Sequence, residues 1–83
     1  MSDAQARTIA RLTITGISSV HAVRAIFTAF AGVEGILRAD VSRGGAVVEH
    51  DGTVTTAALE EAIGVAGFEL VEIAEERRTL PLL

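Results

Sequence analysis

Thr15-Gly16-Ile17-Ser18-Ser19-Val20-His21-Ala22-Val23 is the stretch at which the chain changes period. Before it, residues 8–15 alternate: Ala10, Leu12 and Ile14 share one face and Arg11, Thr13 and Thr15 the other, the pattern of a strand with one wet face. After it, Val20, Val23, Ile26, Phe27 and Phe30 recur at three- and four-residue steps, with His21, Arg24 and Thr28 on the opposite stripe, which predicts an amphipathic helix over residues 19–31. Between the two, Gly16 ends the strand and Ser18 or Ser19 offers a hydroxyl to cap the helix. A short exposed loop with outward backbone N–H groups follows, and loops of this kind carry the function of small domains. Its chemical means are two hydroxyls and one imidazole, since it holds no cysteine, carboxylate or lysine.

The remaining segments follow the same logic. Gly32 is placed to end the helix in the left-handed conformation, and Val33 begins the return. Leu37, Ala39 and Val41 alternate with Arg38, Asp40 and Ser42 as a second strand, and Arg43-Gly44-Gly45 reads as a hairpin whose glycines supply positive φ. In the third strand Ala46, Val48 and His50 face inward, Val47 and Glu49 outward, until Asp51-Gly52 stops it. Thr55 or Thr56 caps a second helix that turns Leu59, Ala62, Ile63 and Ala66 inward, and Gly67 closes it. Residues 68–73 form the last strand, with Phe68 and Leu70 inward and Val71 and Ile73 outward.

Strand, helix, strand, strand, helix, strand is a split βαβ repeat. With right-handed crossovers it predicts an α+β, ferredoxin-like βαββαβ sandwich: a four-stranded antiparallel sheet ordered 4-1-3-2 with both helices on one face. That topology gathers the 16–19 loop, the Gly44-Gly45 hairpin and the Gly67-Phe68 corner at one end of the sheet, and Gly32-Val33 with His50-Asp51 at the other. The expected organisation is a flexible lead-in over residues 1–7, a domain over 8–74 and a charged then apolar tail over 75–83.

Composition narrows the function. Eighty-three residues, 49% of them hydrophobic, are enough for one modest core. A net charge of -4 repels phosphate backbones, and three phenylalanines without tyrosine or tryptophan are too few for base stacking, so no nucleic-acid partner is expected. Residues 1–10 contain no apolar run of the kind a secretion signal or membrane span needs, so the expectation is a cytoplasmic protein with no membrane partner. Ser18 or Ser19 with His21 does not make a nucleophile and base, because residues two apart on a helix do not face each other and no third group orients the imidazole. The chain is therefore not expected to be an enzyme.

Leu12-Thr13-Ile14-Thr15-Gly16-Ile17, Gly32-Val33, Ala46-Val47-Val48-Glu49-His50-Asp51 and Leu59-Glu60-Glu61-Ala62-Ile63-Gly64-Val65-Ala66-Gly67-Phe68 occur in this order over residues 12–70. On these segments the chain resembles the heavy-metal-associated domain found in copper chaperones and in the N-terminal modules of metal-pumping ATPases. The resemblance implies the fold above, with Phe68 beside the metal loop. It also shows a departure: the family's methionine position is Ile17, and its two cysteine positions are Ser19 and Ala22. Monovalent copper selects sulfur ligands, and the chain's only sulfur is that of Met1. The resemblance thus implies a degenerate metal site and no cofactor, in a domain that docks on a protein partner, such as a metal-transport domain, through Ile17, Ser18, Ser19, His21 and Phe68.

Two alternatives stand beside that reading. His21, taken as a solvated residue at the helix start, could instead hold a divalent ion with ligands from a partner or second subunit. A small-molecule regulatory domain of the same topology would bind an effector at a strand edge. His50, at the far end of the sheet and facing the core, reads as a packing residue in place of an aromatic. Val47, Val71 and Ile73 on the open sheet face, or the 75–83 tail, would support a homodimer.

Overall fold

Six elements account for the computed structural model, which describes residues 5–80: β1 (Gln5–Thr15), α1 (Val20–Ala31), β2 (Ile36–Ser42), β3 (Gly45–His50), α2 (Thr56–Val65) and β4 (Glu69–Leu80). The sheet order is β2-β3-β1-β4, antiparallel throughout, which is the expected 4-1-3-2 order counted from the other edge. Alternation in the central strands decides which face is covered. Ala10, Leu12 and Ile14 of β1 and Ala46 and Val48 of β3 are buried against Ile26 and Phe30 of α1 and Leu59 and Ile63 of α2.

Both helices start where a hydroxyl can accept an orphan N–H. Ser19 Oγ accepts from Ala22 N–H at 3.2 Å, and Thr55 Oγ1 from Ala58 N–H at 3.1 Å. Their ends differ. At the end of α2, Gly67 N–H donates to Gly64 O and Phe68 N–H to Ile63 O, both at 3.0 Å, the paired bonds of a Schellman motif. Gly32 does not take the expected left-handed form: its φ is -88°, and α1 closes with i to i−3 bonds from Gly32 to Ala29 O and from Val33 to Phe30 O. The positive φ falls three residues later, at Gly35 (+97°), where a β-carbon would stand 2.6 Å from Thr53 Oγ1. The hairpin is also built differently from the expectation. No positive φ occurs at Arg43 or Gly44; glycine is required at Gly45, because a β-carbon there would run into the Leu12 carbonyl oxygen of β1.

The two long strands correct the expected boundaries. β1 begins at Gln5 and β4 runs to Leu80, with Gln5 opposite Leu80, so residues 5–7 of the expected lead-in and 78–80 of the expected tail form a two-stranded ribbon, while residues 75–77 join the four-stranded sheet opposite Ala10, Ile9 and Thr8. The run Glu75-Glu76-Arg77-Arg78 lacks apolar alternation, but a ladder needs only a backbone partner. The rest of the lead-in and tail lies outside the described residues.

Two bulges shift side chains between faces. In β4, Leu70 lies opposite Ile14 and Glu72 opposite Thr13, leaving Val71 as the extra residue. Parity is reset there, so Ile73 lies opposite Leu12 and packs half-buried against the core, not outward as expected, while Val71 is exposed. In β2, Ile36 lies opposite His50 and Arg38 opposite Glu49; Leu37 is the extra residue and is exposed instead of inward. On α1 the buried stripe is Ala22, Ile26 and Phe30, and it leaves Val20 and Phe27 exposed at its border.

Candidate functional site

The expected loop end assembles. β1 stops at Thr15, Gly16 turns, and Ser19 caps α1 while its carbonyl accepts from Val23 N–H at 3.1 Å. The hairpin closes onto the same end through Ile14 N–H, which donates to Gly44 O at 3.1 Å. The Schellman turn of α2 delivers Phe68 to the loop, where its ring stands 3.3 Å from the place a β-carbon on Gly16 would occupy. Ser18, Ser19 and His21 are exposed and Phe68 is half-buried, all at this one end.

Ile17 departs from the expected surface. It is 6% exposed and belongs to the core cluster, so it takes no part in an exposed face. Burying an isoleucine contributes about 1.5–3 kcal/mol, which outweighs leaving it in a solvated loop. It anchors the loop from beneath, and the surface above is polar apart from Phe68 and the exposed Val20.

Ser19 and Ala22 were the positions at which the family resemblance implies cysteine. The Ser19 hydroxyl is already engaged as the cap of α1, and Ala22, 8% exposed, offers no donor atom. No group of three or more histidine or acidic side chains stands close enough to hold a metal ion among the described residues. This donor set, one neutral hydroxyl and a methyl group, fits no soft cation.

The opposite end carries a polar arrangement that sequence reasoning missed in part. His50 is 2% exposed, inward on β3 as expected. Gly52 N–H donates to its Nδ1 at 3.0 Å, which places the ring proton on Nε2, 3.4 Å from Glu75 Oε2. Beside it, Asp51 Oδ1 accepts from the Thr53 hydroxyl at 2.6 Å and from Thr53 N–H at 3.0 Å. Those two bonds, the hydroxyl's first, hold the Asp51 carboxyl below its ordinary range. Asp51-Gly52-Thr53 is an aspartate-turn pattern, and that was the signal available in the sequence.

The open sheet face does not offer the expected apolar patch. Arg7 pairs with Glu49 at 2.6 Å, Arg38 and Asp40 flank Val47, and Ile73 has turned to the other side. Among the described residues no helix is long and apolar enough to cross a membrane.

No family model and no curated protein matches the chain. Solved structures do. Apo-CopP from Helicobacter pylori is 32% identical, with a TM-score of 0.68 over 76% of this chain and 98% of that one. A copper binding domain from HMA7, a P-type ATPase, is 26% identical, with a TM-score of 0.68 over 90% of this chain and 95% of that one. Oxidized MerP from Ralstonia metallidurans CH34 is 25% identical, with a TM-score of 0.68 over 80% and 94% of the respective chains.

Proposed function

The chain belongs to the heavy-metal-associated domain family, and from that premise we propose that it is a non-catalytic member with a degenerate metal site, acting as a protein-interaction or regulatory module in metal transport. One observation carries the reading. Of the two positions that hold sulfur in the family, Ser19 is a helix cap and Ala22 a core methyl, so the loop keeps its architecture without a donor set. What remains at that end is a surface: Ser18, Ser19 and His21 around the half-buried ring of Phe68. The partner that fits it is a metal-transport domain, in keeping with the copper-binding ATPase domain among the similar structures.

Chemical-shift mapping tests the proposal. The isotope-labelled domain is titrated with the N-terminal metal-binding domain of a copper-transporting ATPase from the same cell. Shifts concentrated at residues 16–22 and 67–68 support a loop-face interaction. Shifts confined to the open sheet face, or none at millimolar partner, overturn it.

A further inference from the structure

β2 is an edge strand, and the way it joins the sheet fixes which of its backbone groups are free. Ile14 N–H donates to Gly44 O, so in the alternating antiparallel ladder the even-numbered residues of β3 bond to β1, and Gly45, Val47 and Glu49 bond to β2. Their partners Ser42, Asp40 and Arg38 turn their backbone groups inward to β3. Those of Ala39 and Val41 therefore point out of the free edge.

The side chains of this edge sort by face. Arg38 and Asp40 stand on the open sheet face beside Val47 and Glu49. Glu49 is taken by Arg7, and neither Arg38 nor Asp40 has an ion-pair partner among the described residues. On the helix side an apolar groove runs between α1 and β2, with Val20, Val23 and Phe27 on one bank and Leu37, Ala39 and Val41 on the other. Val20, Phe27 and Leu37 are three of the six large hydrophobic residues left exposed among the described residues. Ala39, midway along β2, lines both halves of the groove with Phe27.

From these observations we propose that β2 pairs antiparallel with β2 of a second copy of this chain, about a two-fold axis perpendicular to the sheet at Ala39. Because Ala39 faces the free edge, the two copies of Ala39 exchange both backbone bonds, and Ile36–Ser42 overlap end to end. The charges select the same register. Arg38 of each copy then stands opposite Asp40 of the other in a pair without backbone bonds, where cross-strand side chains come closest. Centring on Arg38 or Asp40 would set like charges opposite each other, and centring on Leu37 or Val41 would leave the charges facing Ile36 or Ser42. On the helix side Leu37 lies opposite Val41, and the two grooves meet with Phe27 beside the axis, which takes exposed apolar surface out of water. The contact is isologous and closed, so association stops at two copies. It uses none of Ser18, Ser19, His21 and Phe68, so its failure and the failure of the interaction role are separable.

Sedimentation equilibrium across about 10 μM to about 1 mM reads the association directly. The mass of the wild type is expected to rise with concentration from one chain to two and to stop there. Arg38→Asp sets acids opposite acids, and Asp40→Arg sets bases opposite bases. Each variant alone is expected to stay monomeric with an unchanged melting temperature, and an equimolar mixture to regain the wild-type mass, because every facing pair is again of opposite sign. In the wild type, hydrogen exchange at the Ala39 and Val41 amides should slow as concentration rises. A wild type that is monomeric throughout or grows beyond two chains overturns the proposal. So does dimerisation that either variant retains alone, a mixture that stays monomeric, or a dimer that leaves exchange at Ala39 and Val41 unchanged.

Discussion

The two ends of the sheet are built from similar materials and use them in opposite ways. At the far end a histidine, an aspartate and a threonine are tied to backbone and to one another: His50 is buried with Nδ1 bonded to Gly52 N–H, and Asp51 clasps Thr53. At the loop end a histidine and two serines face solvent, and among the described residues only Ser19 is engaged, as a cap. Polar groups closed on each other contribute stability. Those left open around Phe68 are available to something else. The contrast separates an end whose polar groups are closed on one another from an end whose polar groups stay open to solvent.

Mutations at the two ends sharpen or break that contrast. His50→Ala should have the largest effect, because it leaves a cavity under β3 and a Gly52 N–H without its acceptor. A loss of about 3 kcal/mol is expected, seen as a fall in melting temperature on the order of 15 °C. Gly35→Ala comes next, at about 2 kcal/mol, since a β-carbon would meet Thr53, Asp51 and Val54 at a φ of +97°. Denaturant titration gives its value. At the loop end Ser19→Ala removes one cap and should cost about 1 kcal/mol by the same assay. His21→Ala should change stability by less than about 0.5 kcal/mol, and a cost comparable to that of His50→Ala would erase the distinction between the ends.

The smallest effect concerns pH. The Asp51 carboxyl is held low in the fold, so its contribution is present above the ordinary carboxylate range and is lost as pH falls through its lowered value. Thr53→Ala removes the hydroxyl donor and keeps the backbone N–H, and a carboxyl NMR titration should find Asp51 moved part of the way up towards its ordinary value.

Much of the fold was legible because the alternation of Ala10, Leu12 and Ile14 and the helical spacing of Ile26 and Phe30 reflect burial directly. What escaped reading lay where local register departs from strict period. A bulge leaves no mark in a single sequence, so Val71 reset the face of Ile73, and Leu37 was read as inward. The charged run after Ala74 concealed a strand because its partner, the start of β1, is distant in sequence. At the site, the Ser19 cap was legible from its place before an apolar stripe. The burial of Ile17 was not, because the same isoleucine can top a loop or anchor it, and only packing decides.

We propose that this scaffold keeps the family's loop without its sulfur donors. Titration with copper(I) against a competing chelator, run on the wild type and on the Ser19→Cys, Ala22→Cys double variant, tests it most directly. The wild type should take up no copper tighter than about millimolar, and the double variant should bind one ion in competition with the chelator. Tight binding by the wild type, or a folded double variant that binds none, would contradict it.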